Sequence, residues 1–166
     1  TLLASSAASD VYKRQDILNG GVKLSGKNVC VIGSGMTGLE TSELLVSQGN
    51  KVSVIEMADK IAPGAWFQQL DDALPKLKEA DTKFYTSTKL EDVLPGAIKV
   101  LDTVTNTERE IPCDIVVLSM GVRPDNSLYE SLKSEFGNVY AIGDCVKTGR
   151  IVNATEAAYR LATSLK

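Results

Sequence analysis

The stretch Asn28-Val-Cys-Val-Ile-Gly-Ser-Gly-Met-Thr-Gly38 constrains this chain more than any other. A short apolar run stops at Gly33, the form of a strand covered on both faces. Residues at helical spacing (Leu39, Leu44, Leu45) then predict a helix from Met36 to Gln48, stopped by Gly49-Asn50. The connection is Gly33-Ser34-Gly35-Met36-Thr37-Gly38. In such a turn a first glycine permits the tight bend, a second lets backbone N–H groups approach a pyrophosphate, and a third lets helix and strand pack closely. The helix N-terminus adds partial positive charge toward the phosphates. Lys51-Val-Ser-Val-Ile55 reads as the next strand, and two parallel strands joined by a helix predict a Rossmann-like, doubly wound α/β sheet.

Glu56 closes that strand, close to the ~20-residue offset of an acid that binds a ribose. A carboxylate there accepts from a 2′-hydroxyl and repels a 2′-phosphate, which favours NAD(H) over NADP(H). Lys60 is the nearest cation behind it.

Further along, a helix is expected from about Trp66 to Ala80, interrupted or kinked by Pro75. Thr82–Thr88 reads as a third strand, Lys89–Ile111 as a small antiparallel meander, and Asp114–Ser119 as another buried strand. The composition shifts near Arg123–Ser127. A short helix (Asn126–Phe136), a strand (Asn138–Ile142) and an Ala-rich helix (Val152–Leu165) are expected beyond it. The first 15 residues, TLLASSAASDVYKRQ, lack periodicity and resemble a translated sequencing-library adapter. They are set aside as a non-native tail, so the natural protein is expected to continue upstream of Asp16.

Composition narrows the function classes. With 18 Lys+Arg against 21 Asp+Glu, the net charge of −3 gives no basic face for a nucleic acid. No apolar run approaches the ~20 residues of a membrane-spanning helix. Histidine is absent, which removes the commonest general base and metal ligand. Cys30, Cys113 and Cys145 are far apart in sequence and form no Cys-x-x-Cys pair. They read as packed thiols in a reducing, cytoplasmic setting.

The ordered set Gly33-Ser-Gly-Met-Thr-Gly-Leu-Glu40, Gly121-Val-Arg-Pro124, Tyr140-Ala-Ile-Gly-Asp-Cys145 and Gly149-Arg-Ile151 resembles the C-terminal part of flavin-dependent pyridine nucleotide oxidoreductases. The likeness is greatest to NADH:flavin oxidoreductases of the 2,4-dienoyl-CoA reductase and 2-enoate reductase type. It implies an NAD(H)-binding domain over 27–124, reached by a linker over 16–26, and an incomplete C-terminal part of an FAD-binding domain over 125–166. By that likeness, the turn Gly33, Ser34, Gly35, Met36, Thr37 and Gly38, with Glu56, binds NAD(H). Glu40 and Gly121 lie near the nicotinamide, Met36 stands where relatives often carry an aromatic lid, and Asp144 meets the ribityl chain of FAD. Gly143 lets that cofactor close, and Arg150 and Ile151 line the flavin side. The other half of the FAD site, an FMN-binding barrel and iron–sulfur cysteines would lie upstream as partner domains of the same parent chain. The fragment would then be an electron-entry module passing hydride from NADH to FAD.

Other readings stay beside this one. The parent is alternatively an NADH oxidase or a disulfide reductase, or the domain senses NAD(H) without turnover. Tyr85-Thr-Ser-Thr-Lys89 matches the Tyr-x-x-x-Lys pair of short-chain dehydrogenases, but its strand-like surroundings argue against one shared helix face.

Overall fold

The apolar runs form the sheet that their pattern calls for. In this computed structural model, which describes residues 10–165, β1 (Asp10–Lys13) leads into α1 (Arg14–Leu18), then β2 (Asn28–Ile32), α2 (Met36–Ser47) and β3 (Lys51–Ile55). Next come α3 (Phe67–Glu79), β4 (Lys83–Tyr85), β5 (Thr88–Leu94), β6 (Ala97–Asp102), β7 (Thr107–Pro112) and β8 (Ile115–Leu118). A five-stranded sheet has the order β1-β8-β2-β3-β4, with every pair parallel, and β5-β6-β7 form a three-stranded antiparallel meander. The fold class is therefore α/β, as the sequence led us to expect.

Alternation along the parallel strands explains why they are apolar throughout. Cys30, Ile32, Ile55 and Val116 face the meander, where they meet Val93, Ile98, Val100 and Ile111. Val29, Val31, Val52, Val54, Ile115 and Val117 face the helical side, where they meet Ile17 and Leu45. Each strand thus feeds two apolar layers, and neither face tolerates a polar residue without loss of burial energy.

Four expectations need correction. The exclusion of the first 15 residues fails for Asp10–Gln15, since Asp10–Lys13 pairs with β8 from Asp10↔Ile115 to Lys13↔Leu118. The edge of β8 offers unpaired backbone groups, and Val11 and Tyr12 pack into the two opposite layers. Within the expected linker, Ile17 is a buried residue of α1. Pro75 lies inside α3, where the sequence placed it, with its ring solvent-exposed. The strand expected at Thr82–Thr88 splits in two, because Ser87 takes a left-handed φ of +47° where the chain leaves the parallel sheet for the meander.

By its contacts the chain divides into two units, the first ending at Met120 and the second starting at Gly121, just ahead of Arg123–Ser127. The second unit holds α4 (Ser127–Glu135), a 3-10 turn (Gly143–Cys145) and α5 (Ile151–Ser164). Here lies the fourth correction: Asn138–Ile142 is extended near its end, with Ile142 at φ −141° and ψ 164°, but forms no strand. A strand exists only when a neighbour accepts and donates its backbone hydrogen bonds, and no partner strand is present among the described residues. No described residue of this unit is buried. Large apolar side chains stand in the open, including Leu128 at 70%, Tyr159 at 72% and Ile151 at 85% exposure. Among the described residues no helix is long and apolar enough to cross a membrane.

Candidate functional site

The glycine turn sits at the C-terminal ends of the central strands. β2 lies between β8 and β3, and the chain leaves it through α2 toward β3, so the crevice beyond β2 is a topological switch point. Gly33 N–H donates to the Ile55 carbonyl at 2.8 Å, and Ser119 N–H donates to the Ile32 carbonyl at 2.8 Å. Both neighbouring strand ends are thereby tied to the turn.

The three glycines do different work. Gly33 has φ +100°, and a Cβ there would stand 2.6 Å from the Ser119 carbonyl oxygen. A Cβ on Gly38 would run into the Gly33 carbonyl oxygen and stand 3.2 Å from Ser119 Oγ. These two glycines let the protein pack against itself. Gly35 is exposed and takes φ −53° and ψ 164°, and no heavy atom lies within 4 Å of where its Cβ would point. Gly35 is also the N-cap of α2, which no side chain caps. The first-turn N–H groups beyond it, on Met36 and Thr37, therefore face a space that an anionic group can enter. This is the cradle a dinucleotide pyrophosphate fits.

Glu56 stands beside that cradle, half-buried and held by hydrogen bonds to both carboxylate oxygens. Its Oε2 accepts from Ser34 N–H at 2.9 Å and from the Ser34 hydroxyl at 2.6 Å, while Oε1 accepts from Ala58 N–H at 2.8 Å. Its backbone is pinned as well: Glu56 N–H donates to Tyr85 O, and Thr88 N–H donates to Glu56 O, both at 2.8 Å. Burial pushes the carboxyl pKa up, but the hydrogen bonds from Ala58 and Ser34 outweigh it and hold the group below the usual carboxylate range. The sign of the linkage follows. Stability from this carboxylate is complete above the unfolded value of about 4.3 and is lost as pH falls through the lower folded value. The stability gap between the native chain and Glu56→Gln, measured by urea unfolding, is expected to hold steady from neutral pH down to about 5. Below that it should shrink. A gap that stays constant or widens on acidification would contradict the hydrogen-bonded carboxylate.

The other expected residues are distributed as follows. Met36 is half-buried against Leu39, Ala62, Ala73 and Leu77. The Thr37 carbonyl accepts from the Thr41 hydroxyl at 2.6 Å. Glu40 is exposed on α2, in a groove shared with Glu43 and Lys76. The remaining five belong to the second unit. Gly121 opens it with φ +40°, and Gly143 has φ +70°, where a Cβ would touch Ala154 at 3.5 Å. Asp144 Oδ1 accepts from Gly149 N–H at 3.1 Å, Arg150 N–H donates to Asn153 Oδ1 at 2.9 Å, and Ile151 begins α5. These bonds close a loop ahead of the α5 N-terminus.

Sequence reasoning missed Ser119 and the Ala58–Ala62 loop as parts of the turn. Ser119 ends an apolar run like any strand residue, and Ala58 and Ala62 act through backbone N–H groups, which leave no side-chain signature. Tyr85 and Lys89 fall on different strands, with Arg109 4.9 Å above the Tyr85 ring and Lys89 paired to Glu91 at 2.9 Å. Cys30 and Cys113 are buried thiols. Its hydrogen bond with Cys113, together with burial, pushes the Cys30 thiol up, away from the thiolate a nucleophile needs.

A profile described as "Pyridine nucleotide-disulphide oxidoreductase" matches residues 6–160. The chain belongs to this family. Membership supports binding of FAD and a pyridine nucleotide by this oxidoreductase fold. A bilirubin reductase of Mediterraneibacter gnavus is 32% identical over 98% of this chain and 25% of its own length. A cinnamate reductase of Clostridium sporogenes is 30% identical over 98% of this chain and 24% of its own length. The chain thus spans only a minor part of these curated relatives. Histamine dehydrogenase from Rhizobium sp. 4-9 superposes with a TM-score of 0.79 at 21% identity, over 95% of this chain and 26% of that one, a likeness of fold.

Proposed function

We propose that this chain supplies the NADH-binding portion, and part of the FAD-binding portion, of a flavin-dependent NAD(P)H oxidoreductase, serving as its electron-entry module. The observation that carries this reading is the open cradle at Gly35, with a hydrogen-bonded Glu56 carboxylate beside it. The α2 N-terminus attracts the pyrophosphate, Gly35 lets it approach the backbone, and Glu56 receives a ribose hydroxyl. A 2′-phosphate would face that carboxylate instead, and the two like charges repel. NADH is therefore the favoured nucleotide.

Once both cofactors are bound, the nicotinamide supplies a hydride that FAD accepts together with a proton. The chain contributes orientation and charge to that step and no acid–base group, which suits a sequence without histidine. In the second unit, Gly143, Asp144 and the α5 N-terminus form the part of a flavin site that this chain can offer. The apolar side chains exposed there fit a surface that upstream flavin domains of the same parent cover. Relatives named for reducing cinnamate and bilirubin make an unsaturated organic acceptor the favoured end of the electron path. The acceptor site, with FMN and an iron–sulfur cluster, would belong to those upstream domains.

The test is a titration of the purified chain with NADH and NADPH, followed by nicotinamide fluorescence. Saturable binding with a preference for NADH is expected, and Glu56→Ala should narrow that preference about tenfold. A folded chain that binds neither nucleotide removes the reading.

A further inference from the structure

Glutamate has a long, freely rotating side chain, and at a strand end it ordinarily samples many positions. Here it does not. Ser34 is wholly buried, yet its side chain and backbone both donate to one oxygen of Glu56, at 2.6 and 2.9 Å. The same hydroxyl oxygen accepts from Ala62 N–H at 2.8 Å. Ala62 is itself buried in a left-handed conformation, φ +47°, which a non-glycine residue adopts only where its surroundings hold it. A second tie runs from Ala58: its N–H reaches Glu56 Oε1, and its carbonyl accepts from Ser87 N–H at 2.7 Å. Three chain segments thus converge on one carboxylate, and Ser34 is the side chain that joins two of them.

Two donors from Ser34 use the acceptor capacity of Oε2, while Oε1 accepts from Ala58 N–H and has no side-chain donor on it. Oε1 is therefore the oxygen able to receive a ribose hydroxyl. A carboxylate held this way cannot swing aside for a 2′-phosphate, whereas an untethered one can.

We propose that Ser34 is a positioning residue that determines nucleotide specificity, locking the Glu56 carboxylate at the ribose edge so that a 2′-phosphorylated dinucleotide is rejected. The lock rests on the reading that this turn binds a dinucleotide. It goes beyond that reading because Glu56 alone, without Ser34, is inferred to discriminate poorly.

The experiment measures NADH and NADPH affinities of the full chain by nicotinamide fluorescence in the native form and in Ser34→Ala, Glu56→Gln and the double variant. Ser34→Ala is expected to lower the NADH-over-NADPH ratio about tenfold, the worth of a hydrogen bond to a charged group. In the Glu56→Gln background the same change should alter the ratio by less than about twofold, because the side chain that Ser34 holds then carries no charge to repel a 2′-phosphate. Ser34→Cys keeps the shape of the side chain with a weak donor, and carries the test if Ser34→Ala unfolds. An unchanged ratio in Ser34→Ala or Ser34→Cys, while the native chain prefers NADH, overturns the lock and leaves the dinucleotide reading standing. An equal fall in both backgrounds also overturns it, since Ser34 would then act by another route. A native chain that binds both nucleotides equally overturns the lock and leaves the dinucleotide reading standing, whereas one that binds neither overturns the lock along with the reading it rests on.

Discussion

Gly38→Ala is expected to destabilise the chain by at least about 3 kcal/mol, read as a lower urea or thermal unfolding midpoint. Helix propensity alone points the other way, since alanine in place of an interior glycine gains about 1 kcal/mol. The packing term wins because the added methyl meets backbone. Its Cβ would run into the Gly33 carbonyl oxygen, and Gly33 cannot retreat. Gly33 is tied to Ile55 by a 2.8 Å hydrogen bond, and it already lies so close to Ser119 that its own Cβ would be 2.6 Å from the carbonyl there. Helix α2 would have to lift off the sheet, pulling Leu39 and Leu45 out of buried positions. A loss of this size is a large part of a typical margin of roughly 5–15 kcal/mol. An unfolding midpoint at or above that of the native chain would show that the helix and strand do not approach this closely.

Gly35→Ala should do the reverse, leaving the fold intact and removing the nucleotide. The backbone at Gly35 is one any residue adopts, and its Cβ would point into open space. Alanine is a poorer N-cap than glycine, but it also restricts the unfolded chain by about 0.4–1 kcal/mol, so the two effects roughly offset. The methyl would occupy the place where a pyrophosphate must approach the α2 N-terminus. Losing one or two charge-assisted hydrogen bonds from backbone N–H groups corresponds to about a 100-fold weaker NADH affinity. Native-like unfolding with native-like NADH binding in this variant would move the nucleotide away from the turn. Taken as a pair, the two glycine variants separate the part of the motif that builds the fold from the part that serves the ligand.

The strands that a neighbour on each side supports were legible from the residues alone. Asn28–Ile32 and Lys51–Ile55 carry apolar side chains on both faces, and the structure uses both faces. The meander was legible because Pro95-Gly96 and Thr105-Asn106 punctuate it, and both lie in the connections between its strands. Asp10–Lys13 and Asn138–Ile142 were not legible. Asp10–Lys13 has little strand signal of its own, and becomes one because β8 has an open edge. Asn138–Ile142 has the stronger signal, and stays irregular because no strand among the described residues lies beside it. Local propensity is worth tenths of a kcal/mol per residue, so the presence or absence of a partner overrides it.

For the site, the sequence by itself determined where the glycine turn lies, because the turn is local. Gly33, Gly35 and Gly38 are neighbours along the chain, and the strand before them and the helix after them follow from their immediate surroundings. The tertiary structure alone decided what each of them does. Whether a glycine is needed for packing or for a ligand depends on what stands where its Cβ would go, and for Gly33 and Gly38 that includes Ser119 from β8's end. The same holds for Glu56. Its position at a strand end could be read from the sequence, but its orientation depends on Ser34, Ala58 and Ala62, which only folding brings together. Hydrogen bonds across such separations leave no periodicity in the chain, and three of these donors are backbone N–H groups, which every residue but proline carries.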